Sequence, residues 1–297
     1  MKSVLKYATQ GDKVFYTLIT TFLTLFFILV LWPIIYVFSS SVSEAQAVMT
    51  GRVVLWPIGF NLEGYRTVFN TPAVLIGYRN SLFYTATSII ITVTMTMTAA
   101  YCLSRNDVPG SNGIMLLFTF TMFFSGGMIP SYMLMRELGF INTVWAVIIP
   151  GSMGVFNMII ARTFIRHSIP LELLEASMID GCSDIGYYLK IVIPLSQAII
   201  AVLILFVGVS NWNAFFHALI YLSDKNLFPI TLFLRDILLS TQIDAGTMDP
   251  EDAWRMAEAA AKIRYSLIIV TLIPVILIYP FVQKYFVKGI MIGSIKG

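Results

Sequence analysis

Charge is the scarcest property of this 297-residue chain: Asp, Glu, Lys and Arg supply 12% of it, against 58% for the apolar residues. Soluble domains carry roughly 25% charged residues, and one water-facing core of this length cannot hide so much apolar surface. The mean hydropathy of +0.82 points to a bilayer as the solvent. Histidine and cysteine are nearly missing, with two of each. His167 and His217 form no His-Glu-x-x-His pair, and Cys102 and Cys182 fit no ligand spacing, so neither a zinc protease nor any other metal site is expected. No Gly-x-x-x-x-Gly-Lys-Ser/Thr loop occurs, which removes ATP binding by a P-loop. Net charge is +3 with no Lys/Arg block, so no nucleic-acid partner is expected.

What the chain has instead is charge-free runs. About 20 apolar residues rising 1.5 Å each cross a ~30 Å hydrocarbon core. Runs at residues 16–38, 81–104, 113–135, 142–161, 197–222 and 265–283 predict six spans. Backbone groups in lipid must be satisfied internally, so the spans are expected to be helices, and no ten-residue alternation suggests a barrel. The expected fold is an all-α integral membrane protein with one transmembrane domain over residues 1–297. The first run is far longer than the ~7–15 residues of a signal-peptide core, which predicts an uncleaved anchor. Six spans put both termini on one face. That face collects ten Lys/Arg against nine on the other, and Lys2, Lys6 and Lys13 beside the first span tip it toward the cytoplasm. Two long outer segments remain, near 39–80 and 224–264. In the second, Asp249 can cap a helix that starts at Pro250.

One polar segment interrupts the apolar pattern on the N-terminal face, over about 166–196. It contains EASMIDGCSDIGYYLKIVIPLS, Glu175 to Ser196. Ser168-Ile169-Pro170 is a helix-start signal. Leu171, Leu174 and Met178 then form an apolar stripe, while Glu172 and Glu175 share another face. Gly181 suits a left-handed turn, Ser183 can cap a second helix with Asp184 in its first turn, and Pro194 interrupts that helix. Helix, glycine turn, helix is the predicted pattern. Both an amphipathic loop resting on the bilayer and a docking element for a soluble partner fit these residues.

Glu175-Ala176-Ser177, then Gly181, Ile191, Ile193 and Pro194, resemble the EAA motif of ABC importer permeases. That motif reads Glu-Ala-Ala, three residues, Gly, nine residues, Ile, any residue, Leu, Pro. All spacings match; Ser177 stands for the third Ala and Ile193 for Leu. Asn211-Trp212-Asn213 followed by Ala218–Leu222 is similar to the fifth span of maltose-type sugar permeases. Tyr279-Pro280-Phe281, Tyr285–Gly289 and Gly293–Gly297 resemble the C-terminus of the smaller permease in such pairs, closest to the LplC/YtcP-like branch. The likeness covers nearly the whole chain. It implies the maltose-type (type I) importer fold with a cytoplasmic helix-turn-helix coupling loop.

The same resemblance implies the partners: a second homologous permease, two P-loop ATPase subunits holding ATP and Mg²⁺, and an extracytoplasmic solute-binding protein. The chain itself would bind no cofactor and catalyse nothing. Glu172, Glu175, Ala176, Asp180, Gly181, Pro194, Lys288 and Gly297 become the expected ATPase-coupling residues, with residues 284–297 as a cytoplasmic tail. Tyr65, Arg66 and residues 224–262 are expected to face the binding protein. The location implied is the bacterial cytoplasmic (inner) membrane, and the cargo an oligosaccharide, acidic ones such as alginate or pectin fragments included. A non-sugar importer, or a self-sufficient carrier or channel, is the alternative; the latter would usually show ionisable residues within its spans. An intramembrane enzyme lacks a nucleophile–base arrangement.

For the path of the cargo, Ser210, Asn213 and His217 stand at i, i+3 and i+7, on one face of the expected fifth helix. Asn157, Trp145 and Tyr132 can join them. Amides and aromatic faces suit a sugar, but interhelical hydrogen bonding accounts for the same residues.

Overall fold

A computed structural model describes residues 9–243 and 249–294, and all the regular structure among them is helical. The chain divides into two units, Met1–Thr71 with Asp236–Val270, and Pro72–Arg235 with Thr271–Gly297.

The first unit begins with α1, Gln10–Ser41. Its start is a capping box: Thr9 N donates to Asp12 Oδ2 at 2.9 Å, and Asp12 N donates back to Thr9 Oγ1 at 3.3 Å. Along its length the apolar side chains stay exposed, Phe22 at 68% and Leu29 at 70%. A helix bare of protein on this scale suits hydrocarbon rather than water. Two short helices follow, α2 (Ala45–Met49) and α3 (Glu63–Asn70). Ala47, Val48 and Val53 form a small core with Ile58 and Tyr265. Tyr36 and Tyr265 meet through their hydroxyls at 3.3 Å, and Ser266 Oγ donates to Ser41 O at 3.2 Å. Gly64 is pressed onto Lys262 O and Ser266 Oγ, leaving no room for a Cβ.

The second unit is built on α4, Pro72–Ser104. Then come α5 (Ser111–Phe123), α6 (Met128–Glu137), α7 (Trp145–Ile148), α8 (Val155–Ser168), α9 (Leu171–Ile179), α10 (Asp184–Tyr187), α11 (Ile193–Leu195), α12 (Gln197–Asn213) and α13 (Phe216–Tyr221). Helices α14 (Ile230–Ile243) and α15 (Pro250–Ser294) complete the chain. On α4 the buried residues include Gly77, Ser81, Thr85, Ser88, Thr92, Thr96 and Ala100, a stripe recurring every three or four positions. Lipid tails are as apolar as Leu, so helices in a bilayer associate by close packing, and small residues permit that. This face of α4 packs chiefly against α8 and α12. At one end the core joins Met97, Ala100 and Leu103 of α4 to Met158, Ala161 and Ile165 of α8, and to Ile199 and Leu203 of α12.

Three of the expected spans are not single helices. Over 113–135, α5 and α6 bend by 114° across Phe124–Gly127, because Gly127 adopts φ +86°, which no helix accommodates. Over 142–161, Trp145–Gly151 and Val155–Ser168 meet at 49°. Over 197–222, α12 ends at Asn213 with Ala214 extended, and α13 begins afresh at Phe216. Residues 265–283 lie inside the longer α15, whose start at Pro250 is supported by Glu251 N donating to Asp249 Oδ1 at 3.4 Å. Among the described residues three helices are long and apolar enough to cross a membrane, or up to six segments if each bent pair is one span.

Candidate functional site

The EAA-like segment folds as a compact helix pair. Helix α9 closes with both hydrogen bonds of a Schellman cap: Gly181 N donates to Met178 O at 3.0 Å and Cys182 N to Ser177 O at 2.9 Å. Gly181 sits at φ +73°, the left-handed conformation this cap requires. Ser183 then caps α10, its Oγ accepting from Gly186 N at 3.1 Å. A π-helical turn, Tyr188–Val192, runs into α11, where Pro194 lacks the N–H that would continue the ladder. The chain then bends by 78° into α12.

Of the expected apolar stripe, Leu174 alone is buried. Leu171 is 56% exposed and Met178 51%. The pair is instead anchored by Leu174, Tyr187 and Val192, which belong to the same core as the neighbouring ends of α4, α8 and α12. Glu172, Glu175, Ala176, Asp180 and Pro194 are all exposed, and so is Ile179, at 87%. Ile179 and these polar residues are thus open to a partner. Lys288 lies within α15, and Gly297 lies outside the described residues.

Behind the helix pair is a cleft of about 440 Å³, lined by Tyr101, Arg105, Arg166, Leu174, Glu175 and Tyr187 among others. Its organising residue is Arg105, which belongs to no motif in the sequence. The Arg105 side chain is 11% exposed and pairs with two carboxylates, Asp107 and Asp184. Its Nε also donates to Asp107 Oδ1 at 2.8 Å, and its Nη1 to Tyr101 OH at 2.9 Å. These bonds, the one to Asp107 foremost, hold the guanidinium charged, and Arg105 in turn holds the Asp107 carboxyl below the usual carboxylate range. Tyr101 stacks near Tyr188 at 5.0 Å and Tyr187 at 6.2 Å. Arg162 Nε donates to Leu103 O at 2.7 Å, covering a carbonyl at the end of α4.

The expected path residues divide into two groups. Ser210 and Asn213 are exposed on α12, and Asn213 Nδ2 donates to Val209 O at 2.9 Å in its own helix. His217 does not share their helix, because the chain breaks at Ala214. It belongs to a three-ring stack: His217 to Tyr221 at 5.9 Å, and Tyr221 to Tyr132 at 6.0 Å, both pairs nearly parallel. Tyr221, missed from the sequence, is the 5%-exposed middle ring. Asn142 fixes the chain beyond it: Asn142 N donates to Tyr221 O at 2.8 Å, and its Oδ1 accepts from Ser223 N and Asp224 N at 3.0 and 2.9 Å. Trp145 is exposed at the start of α7, and Asn157 is half-buried on α8, beside Gly154. In the first unit, Tyr65 OH lies 2.7 Å from Ser41 Oγ and serves an internal contact, while Arg66 is exposed.

A helical membrane protein of this kind, with a motif-bearing helix pair seated on the ends of its bundle, defines a transporter permease. No protein-family model matches the chain. Over 294 residues it is 36% identical to the polygalacturonan/rhamnogalacturonan transport system permease protein YtcP of Bacillus subtilis (strain 168), spanning 96% of this chain and 99% of that protein. It is 37% identical over 265 residues to protein LplC of the same organism, spanning 89% of each. Among solved structures it is similar to a chain of a bacterial ABC transporter involved in the import of the acidic polysaccharide alginate, with 30% identity and a TM-score of 0.83 over 94% of this chain and 99% of that one. The chain belongs to the permease family of carbohydrate ABC importers.

Proposed function

We propose that this chain is the translocating subunit of an oligosaccharide importer driven by ATP hydrolysis on separate subunits. The observation that carries the reading is the EAA segment: a helix, a left-handed glycine and a second helix, with Glu172, Glu175, Asp180 and Ile179 exposed and Leu174, Tyr187 and Val192 in the bundle core. Two ATPase subunits, holding ATP and Mg²⁺, dock with this chain and with a second, homologous permease. Glu175 pairs with a basic residue of the ATPase, and the tail from Lys288 to Gly297 reaches the same subunits. Closure of the ATPases on ATP pushes α9 and α10 as one body. Because these helices share a core with α4, α8 and α12, the push shifts the bundle between inward- and outward-facing states.

In this reading the chain is a single permease domain of six spans in the cytoplasmic membrane, three of them broken, with both termini cytoplasmic. The segments 39–80 and 224–264 face an extracytoplasmic binding protein. The cargo class is an acidic oligosaccharide such as an alginate or pectin fragment. Support comes from relatives named for polygalacturonan/rhamnogalacturonan and for alginate. Tyr132 and His217, held by Tyr221 between them, and Trp145 offer ring faces to sugar C–H groups, with Asn157, Ser210 and Asn213 as hydrogen-bonding groups. The chain does no chemistry on the cargo and holds no cofactor.

The test is co-expression with the second permease and the ATPase. Copurification with the ATPase, and hydrolysis raised by sugar-loaded binding protein, is the expected result. Transport by this chain alone in liposomes, without ATP, would contradict it.

A further inference from the structure

Helix α4 is tied by directional bonds at both ends and packed through small side chains between them. At the EAA end, Arg105 follows its last residue and binds Asp184 of α10 and Tyr101 of α4 itself. Thr98 Oγ1 lies 3.2 Å from Tyr188 OH in the same segment. At the other end, Asn80 Nδ2 donates to Asn226 O at 2.7 Å and Phe228 O at 3.1 Å, and Tyr84 OH donates to Leu227 O at 2.7 Å. Ile230 N donates to Ser81 Oγ at 2.9 Å, and Gly77 lets the Ile230 backbone approach to 3.2 Å of its Cβ position. Between the clamps lie Thr85, Ser88, Thr92 and Thr96. All four hydroxyls are buried, and none has a hydrogen-bond partner among the described residues. At 1.5 Å per residue the clamps stand roughly 35 Å apart, more than the thickness of a hydrocarbon core.

We propose that α4 is a transmission rod, joining the 226–230 segment to the EAA segment, with Arg105–Asp184 and Asn80/Ser81/Tyr84 as the positioning contacts at its two ends. The proposal rests on the ATPase-docking reading of the EAA segment and on 226–230 facing the binding protein. A helix is stiff along its axis, and directional bonds at both ends oblige it to follow either partner. Its middle packs on α8 and α12 through small side chains whose hydroxyls make no hydrogen bonds among the described residues, so a shift along that face breaks no directional contact. Exposed ion pairs add little to stability. With Asp184 67% and Asp107 55% exposed, the Arg105 contacts matter for where they hold the helix more than for stability.

The experiment uses the full complex in lipid nanodiscs, with ATPase activity read with and without sugar-loaded binding protein. Arg105→Lys loses the two-pronged grip, Asp184→Asn loses the charge, and Asn80→Ala opens the far clamp. Each variant is expected to keep its ATPase subunits, yet to lose at least ~5-fold in the ratio of stimulated to basal hydrolysis, the lower range of a typical coupling. The double variant Arg105→Lys/Asn80→Ala should fall no further than the worse single, since both cut one path. Where Arg105→Lys does not accumulate, Asp184→Asn carries the same test and leaves Arg105 paired with Asp107. Undiminished stimulation in the single variants, or losses that multiply in the double, overturns the rod. A wild-type complex whose transport needs no ATP overturns the docking reading together with it, so the two failures are told apart.

Discussion

Replacing Gly181 isolates backbone conformation from every side-chain contact. The residue stands at φ +73°, and a Cβ built on it meets nothing within 4 Å. No clash contributes, so the cost is that of the left-handed conformation, ~1–2 kcal/mol for an L-residue. Asn visits that region most readily and a β-branched residue least. One to two kcal/mol is a factor of roughly 5–30 in the population of the native turn. The order Gly, Asn, Ala, Val should therefore describe a falling series in binding-protein-stimulated ATPase activity, measured on complexes normalised for the amount of this chain. Gly181→Asn should stay close to wild type, and Gly181→Val should lose coupling while the chain still inserts. Equal activity for Val and Gly would refute the reasoning. A series that instead followed side-chain size, with Asn below Ala, would show that the position fails by contact with the ATPase and not by its backbone.

Glu175→Lys reverses the charge on the exposed face of α9 and should abolish stimulated hydrolysis and ATPase copurification, with the chain's membrane level unchanged. Gly64→Ala drives a methyl group into Lys262 O and Ser266 Oγ, so thermal stability in detergent should fall by ~1–3 kcal/mol. Gly113→Ala, with open space around it, serves as the neutral control. Tyr221→Leu removes the middle ring of the stack, and should raise the sugar concentration needed for half-maximal uptake if the rings contact cargo; unchanged uptake kinetics would reduce them to bundle packing. Asp107 is held below the usual carboxylate range by Arg105, so its contribution is complete above the unfolded value near ~3.9 and is lost only as pH falls through the lower folded value. Coupling should then be flat from about pH 5 to 8 on its account, and a decline within that window would assign the titration to another group.

Local signals were legible where a single residue sets a local geometry. Gly181, Ser183 and Pro250 mark a turn, a cap and a helix start from their own chemistry, and the structure has all three. Hydropathy was a poorer guide to continuity. The run 113–135 is apolar throughout, yet Gly126-Gly127 break it, because apolar counting does not register backbone φ. The same blindness put Ser210, Asn213 and His217 on one helix face, when Ala214 leaves the helix between them. Periodicity found the stripe of Leu171, Leu174 and Met178 but not what covers it; only Leu174 meets the bundle. Arg105 and Asn142 act through partners 79 to 82 residues away, and Tyr221 by stacking, and such meetings leave little trace in sequence. Asn142, at φ +58°, carried one usable hint, since Asn tolerates the left-handed region.

The measurement closest to the centre of these conclusions is uptake into liposomes holding this chain, its partner permease and the ATPase, with alginate and pectin oligosaccharides, neutral oligosaccharides and amino acids as cargo. Uptake that requires ATP and the binding protein, is selective for an oligosaccharide, and disappears with Glu175→Lys is the predicted result. Uptake that persists without ATP, or that is unchanged by Glu175→Lys, would contradict it.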